Sequence, residues 1–400
     1  MAASVPADYV YLDYAATAPL CEEAARAMAP YLEAGRAGLA FGGNANSLHS
    51  SGRAAFEHME EARRSLAKDL GARRPDEVVM TSGATEADDA AVFGLAAGEA
   101  DRRRRAGKGG FTPHVITTAI EHDAVLAPAK RLEQQGFRVT RLRPNAQGFV
   151  EPEALAEALD ADTVLVSVQA ANSEVGSIQP VAELARMAHA AGALFHTDAV
   201  QALGKTPLNL DALGVDAASF SAHKVGGPKG VGALYLRART PFSPYLLGGG
   251  QEAGRRSGTQ NVCGIVGFAA AVHAAVEGLD AERARLAALR DRLYEGLCTQ
   301  GRISPTVKVE PGSESFLPNI VHVLVDGIES ETLILLLDTR GYGVSGGSAC
   351  SSHSLEPSHV LTAMGVPAKR AHGALRVSMG RYTTEEDIEA LLAAMPEVLG

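Results

Sequence analysis

Thr163-Val-Leu-Val-Ser-Val168, then Val181-Ala-Glu-Leu-Ala-Arg-Met-Ala-His-Ala-Ala191, then Ala193-Leu-Phe-His-Thr-Asp198: in that order the three stretches read strand, helix, strand. The outer two are short apolar runs, whereas the middle one repeats its apolar residues at three- and four-residue spacing. Working outward, the same alternation spans Glu77 to Leu236. Strands are predicted at 77–81, 114–118, 138–142, 163–168, 193–198 and 217–221, and helices at 86–97, 124–135, 152–159 and 181–191. Alternating units of this kind argue for an α/β fold, a mostly parallel sheet with helices on both faces. Ligands of such sheets collect at the carboxyl ends of the strands.

Beyond about residue 267 the pattern changes. Two long helices (267–278 and 281–300) precede a strand at 319–325 and a helix at 329–339. A Gly/Ser-rich loop around Cys350 follows, then a helix from Pro357, a strand at 375–378 and a terminal helix after Thr383. This is the pattern of a second, smaller α+β domain. Two domains are expected of 400 residues, a large one at 18–265 and a small one built from 1–17 and 266–400.

Composition narrows the function classes. A net charge of −10, from 37 basic against 47 acidic residues, argues against a general binder of nucleic acid or anionic membrane. No apolar run is long enough to span a bilayer, and residues 1–10 lack the basic start and apolar core of a secretory signal. Cys21, Cys263, Cys298 and Cys350 are scattered and form no C-x-x-C pair, so no metal is expected and a reducing compartment, the cytoplasm, is. One segment, 98–110, carries Arg102–Arg105 among glycines and reads as a solvated surface loop in preference to a basic docking patch.

The chemistry concentrates at predicted strand ends. Ser221-Ala-His223-Lys224 leaves a buried strand and enters Val-Gly-Gly-Pro-Lys229-Gly-Val-Gly232. An amine there either stays solvated, as Lys229 would, or loses its charge to desolvation and becomes nucleophilic. Asp198 ends an earlier strand in His196-Thr-Asp198-Ala-Val-Gln201. It reads as a helix N-cap or as a carboxylate that keeps a pyridine nitrogen protonated. Thr81-Ser-Gly-Ala84-Thr85-Glu86 sits between strand and helix, where small residues let amide groups approach an anion. His122 follows another strand, as a helix cap or as a ring that stacks on a flat cofactor and moves protons. Glycine and serine around Cys350 predict an exposed loop. Arg376, with Arg381 as its competitor, offers a guanidinium that grips an α-carboxylate.

Taken together these segments resemble the cysteine desulfurase family, within the fold-type I, class V aminotransferase-like pyridoxal-phosphate enzymes. The resemblance runs from Tyr11-Leu-Asp-Tyr-Ala-Ala-Thr17 to Arg381-Tyr-Thr-Thr-Glu-Glu386. It includes Gly43-Asn-Ala-Asn-Ser-Leu-His49, Thr81–Glu86, Glu121-His122, His196–Gln201, Ser221–Lys224 and Arg256-Ser-Gly-Thr259. The resemblance implies a large domain with a seven-stranded sheet and pyridoxal 5'-phosphate as cofactor. It implies that Lys224 holds the cofactor as a Schiff base and later takes the Cα proton. Asp198 would pair with the pyridine nitrogen and Gln201 with the ring oxygen, while His122 stacks on the ring. Ala84, Thr85, Ser221 and His223 would hold the phosphate, helped by Thr259 of a second copy, which requires a homodimer. Arg376 would bind the carboxylate of L-cysteine. Cys350 would take the sulfur as a persulfide, leaving alanine, and pass it to an acceptor protein.

The stretch 345–352, followed by Leu-Glu-Pro357, resembles the branch with a longer, flexible cysteine loop, which serves iron–sulfur cluster assembly and tRNA thiolation. One departure stands out: the family has two asparagines before Glu-x-Gly, where this chain reads Asn172-Ser173-Glu174-Val-Gly176. Asn172 is carried as the cofactor contact, with Ser173 the alternative. The rival readings are a selenocysteine lyase, an aminotransferase or epimerase on the same scaffold, and a fold retained without its cofactor.

Overall fold

The computed structural model describes residues 5–6, 8–347 and 357–400. Cys350 and most of its Gly/Ser loop lie outside the described residues. Strands are numbered β1 (Val10–Tyr11), β2 (Val78–Thr81), β3 (His114–Thr118), β4 (Arg138–Leu142), β5 (Thr163–Ser167), β6 (Leu194–Asp198), β7 (Ala217–Ser221), β8 (Gly232–Leu236), β9 (Ile303–Pro305), β10 (Ile320–Val325), β11 (Tyr342–Gly343) and β12 (Ala374–Ser378).

The central sheet has seven strands in the order β2-β8-β7-β6-β5-β3-β4. Only β8 runs against its neighbours, pairing antiparallel with both β2 and β7. Each central strand buries both faces, as the unbroken apolar runs require. Successive residues divide between two cores: Met80, Ile116, Val166 and Phe220 pack on one side with Met59, Leu66, Leu184 and Phe268. Val79, Val115, Leu165 and Leu234 pack on the other with Val92, Leu95 and Leu132. Helices Ser50–Asp69, Val181–Ala190 and Val262–Glu277 supply the first layer, and Ala84–Arg105 and Asp123–Gln134 the second. This is the α/β architecture expected, with helices on both faces of a mostly parallel sheet.

Three differences from the sequence reading bear on the frame of the large sheet. β8 was not anticipated, because Gly232 opens it within a run of glycines; a Cβ at Gly232 would stand 2.5 Å from Phe220 O and 2.7 Å from Gly83 Cα. Helix Ser50–Asp69, rich in charged residues, was not anticipated either. The segment 98–110 is no surface loop over most of its length, since helix Ala84–Arg105 runs through the arginines. Arg103 turns inward with only 8% of its surface exposed. Its Nη1 donates to Ala161 O (3.0 Å), and its Nη2 to Thr163 O and Gly192 O (2.7 Å each). Its Nε meets Glu99 at 2.8 Å.

A smaller antiparallel sheet, β12-β10-β9, packs its core with the inner faces of helices Leu279–Cys298 and Glu385–Leu399. The start of the chain crosses between the two sheets. β1 pairs in parallel with β11, and the next residues run over the carboxyl ends of the large sheet, where Tyr14 N bonds Ser378 O and Ala18 N bonds His223 O. No single helix among the described residues is long and apolar enough to cross a membrane.

Candidate active site

The carboxyl ends of β2, β3, β6 and β7 open into a cavity of about 490 Å³. Its wall includes Ala84, Thr85, His122, Asp198, Gln201, Ser221, His223, Lys224 and Arg376, nine of the residues expected from sequence. Each arrives there for a local reason. Lys224 closes a single helical turn, Ala222–Lys224, immediately after β7. The Lys224 Nζ donates to Ala15 O (2.6 Å) and Ala16 O (2.8 Å), so the amine points back under the N-terminal segment. Gln201 Nε2 donates to the same Ala15 O at 3.0 Å. His223 Nδ1 meets the Thr17 hydroxyl at 3.1 Å.

Asp198 ends β6, and its Oδ1 accepts from Val200 N at 2.9 Å. Burial pushes its carboxyl above the usual range, opposed by that amide and by His122 and Lys224. A second carboxylate lies close by. Asp88, one turn into helix Ala84–Arg105, is 1% exposed, and its Oδ1 has no hydrogen-bond partner among the described residues. Burial, then the charge of Asp198, raises its pKa well above normal. Two acids so placed resist carrying two negative charges. Behind them His196, wholly buried, has its pKa lowered to about 3 by desolvation, and its Nε2 meets the Ser219 hydroxyl at 2.9 Å.

The loop at 81–85 feeds a helix whose N-cap, Gly83, offers no side-chain cap, so the first-turn amides remain for an anion. Ser82 N is taken by Glu86 Oε2 at 2.8 Å. Glu86 is in turn held by Arg256 through bonds of 2.6 and 3.0 Å. His122 serves both readings offered for it: Nδ1 accepts from Ala124 N at 3.1 Å, capping its helix, while the ring lines the cavity. An accepting Nδ1 leaves a neutral ring's proton on Nε2. Beside it Glu121, 1% exposed, has its pKa raised to about 8 by burial, opposed by Gln169 N and the Thr118 hydroxyl.

The two arginines separate cleanly. Arg376 is 2% exposed and lines the cavity, with Nη1 on Ser173 O and Nη2 on Asp13 Oδ1, both at 2.9 Å. Its Nε has no partner among the described residues. Arg381 faces away and pairs with Glu23 through two bonds of 2.8 Å. Asn172 is a correction to the expected set. Its Oδ1 accepts from Glu174 N and Val175 N, and its Nδ2 donates to Ile120 O, so the amide is spent on holding a turn. Ser173 lines the cavity in its place. Thr259 is exposed and lies outside the cavity wall in this single chain. Asp88 went unnoticed in the sequence, although its position four residues after Ala84 puts both on one helix face.

The residues present fit pyridoxal 5'-phosphate. An acidic floor, a lysine amine, an uncapped helix N-terminus and a buried guanidinium with a spare donor converge on one space of suitable size.

Comparison with known proteins agrees with this geometry. The profile of the aminotransferase class-V family matches residues 10–391. A cysteine desulfurase IscS of Dictyoglomus turgidum is 44% identical over 98% of this chain and 94% of its own length. Among solved structures, a NifS-like protein superposes with a TM-score of 0.87 at 39% identity, covering 98% of this chain and 99% of that one. A protein titled SspA in complex with cysteine superposes with a TM-score of 0.77 at 32% identity, covering 94% of this chain and 100% of that one.

Proposed function

Because the chain belongs to the aminotransferase class-V family and, within it, to the cysteine desulfurases, we propose that it takes L-cysteine to L-alanine. The sulfur passes to Cys350 as a persulfide, for delivery to an acceptor protein of iron–sulfur cluster assembly or thiolation. The observation that carries the reading is that Lys224, Asp198 and Arg376 line one cavity although they lie far apart in sequence. The enzymes of this family use pyridoxal 5'-phosphate, which when bound supplies an electron sink for the Cα–H bond of an amino acid.

The roles proposed for the chain's own residues follow from their surroundings. Ala84 and Thr85, at the uncapped helix N-terminus, with Ser221 and His223, cradle the phosphate. Burial, then the charges of Lys224 and Lys229, holds the His223 pKa down to about 4, so the ring is neutral at physiological pH. With the cofactor bound, Asp198, backed by Asp88, would pair with the pyridine nitrogen and Gln201 with the ring oxygen, while His122 would stack on the ring and shield it from water. Ser173 takes the contact expected of Asn172. Lys224 would hold the cofactor and, once released from it, take up the Cα proton on Nζ; the carbonyls of Ala15 and Ala16 orient that amine. Arg376 holds the substrate carboxylate, leaving the thiol directed at Cys350, which attacks as thiolate.

We also propose a homodimer in which Thr259 of each copy reaches the other's phosphate site. Supporting this, Tyr245 and Leu247, just upstream, are 47% and 76% exposed in the single chain. The division into a large domain, 18–265, and a small one, 1–17 with 266–400, and a cytoplasmic setting belong to the same reading; Cys21, Cys263 and Cys298 are free thiols.

The test is to add L-cysteine to the cofactor-loaded protein, measure alanine and sulfide, and map added mass by peptide. Alanine with one extra sulfur on Cys350 is expected, and Cys350→Ser should abolish cysteine turnover while sparing selenocysteine turnover. A keto acid as main product, or sulfur on no cysteine, overturns the proposal.

A further inference from the structure

Glu174 takes no part in the roles above, yet it is 1% exposed beside the site. Its backbone is fixed by the Asn172 amide, whose Oδ1 accepts from Glu174 N and Val175 N at 2.9 Å each. Its side chain meets two separate pieces of chain. Ser358 Oγ donates to Glu174 Oε2 at 2.6 Å. Gly347, at φ +135°, packs so closely that a Cβ there would stand 2.9 Å from the same oxygen. Residues 347 and 358 flank the segment that carries Cys350, so one carboxylate oxygen is bonded to Ser358 on one side of it and leaves no room for a side chain at Gly347 on the other. The flanks are tied to the site at two further points. Ser345 and Arg376 exchange backbone hydrogen bonds of 3.1 and 2.7 Å, and His359 Nε2 donates to Glu121 O at 2.9 Å, next to His122.

We infer that Glu174 is a positioning residue for sulfur transfer: it fixes both flanks of the Cys350 segment to the cavity wall, and so sets where that thiol starts its approach. The inference rests on the proposed desulfurase reaction and deepens it. A hydrogen bond to a buried carboxylate is among the stronger single contacts available, and it acts here on Ser358, at one flank of the Cys350 segment. Glu174 touches neither substrate nor cofactor in this account, so its loss should slow the transfer step and leave cofactor and substrate binding intact.

The experiment is a double-mutant cycle with Glu174→Ala and Ser358→Ala in the cofactor-loaded enzyme. Each single variant should slow alanine release and sulfur labelling of Cys350 on the order of ten- to hundredfold. The double variant should be no slower than Glu174→Ala alone, because both changes remove one contact. KM and the absorbance change of the bound cofactor on mixing with cysteine, which report substrate arrival, should keep wild-type values. If Glu174→Ala does not fold, Glu174→Gln keeps the shape with a weaker acceptor and should give a loss of several-fold in the same cycle. Losses that multiply in the double variant, an unchanged kcat, or an absorbance change lost in step with kcat each overturn the inference. Wild-type protein that releases no alanine overturns the functional reading and this inference together. Wild-type protein that does, with variants that match it, overturns this inference alone.

Discussion

The two edges of the large sheet treat buried polar groups in opposite ways. At the amino-terminal edge of β5 and β6, Arg103 satisfies its donors on Glu99 and three carbonyls. At the carboxyl-terminal edge, Asp88 Oδ1, Glu121 Oε2 and Arg376 Nε are buried and have no hydrogen-bond partner among the described residues, His196 Nε2 standing 3.6 Å from the first. Leaving such a group unmade costs free energy that folding alone gives no reason to spend. The saturated edge holds the fold together, and the unsaturated one is held ready for a ligand.

That contrast can be broken by mutation. Lys224→Ala should lower kcat by about 10²–10⁴-fold or more, the loss of a proton-transfer group, with the melting temperature little changed; comparable unfolding would put Lys224 on the structural side. Arg103→Met should do the reverse, costing about 1–3 kcal/mol for each buried carbonyl left without its donor, while Glu99 keeps its pair with Arg102. Calorimetry should register it while kcat per folded molecule stays put. Arg376→Ala should raise KM for cysteine on the order of a hundredfold, whereas Arg381→Ala, removing an exposed ion pair, should cost less than about 1 kcal/mol of stability and leave KM alone.

Glu121 sharpens the comparison through pH. Its folded pKa of about 8 lies above that of an unfolded glutamate, so between about 4.5 and 8 the native state binds the extra proton. Stability from this group is therefore full below that window and is lost as pH rises through it. Glu121→Gln should flatten that fall, raising the melting temperature at pH 8 relative to wild type more than at pH 5. An equal shift at both values would mean that Glu121 is already ionised in the folded protein.

Sequence carried the frame of this molecule further than its details. β3 and β7 begin and end where the sequence reading puts them, because strands buried on both faces exclude charged residues; β4 does so too, although it is the half-exposed edge strand. β8 escaped because its glycine is there for close approach to the 81–85 loop, a demand made by tertiary packing and invisible in local pattern. The arginine run misled for a related reason: a side chain's charge says nothing of whether carbonyls at a sheet edge await it. In the site, Lys224, Asp198 and Arg376 were readable from position relative to strand ends and from family resemblance. The choice between Asn172 and Ser173 was not, since neighbouring residues in a tight turn point opposite ways and only the turn's own hydrogen bonds reveal which is spent. Glu174 and Asp88 were hidden by the company they keep across space.

The N-terminal residues that hold the Lys224 amine also bear on how the protein is made. Asp13 pairs with Arg376 across 363 positions, and β1 pairs with β11. Residues around Asp13 thus have partners that are synthesised 363 positions later. During synthesis the large sheet can form before residue 376 has been made, and until then its active-site edge stays uncovered. A nascent chain stalled short of residue 376 would present the large sheet with no grip on substrate.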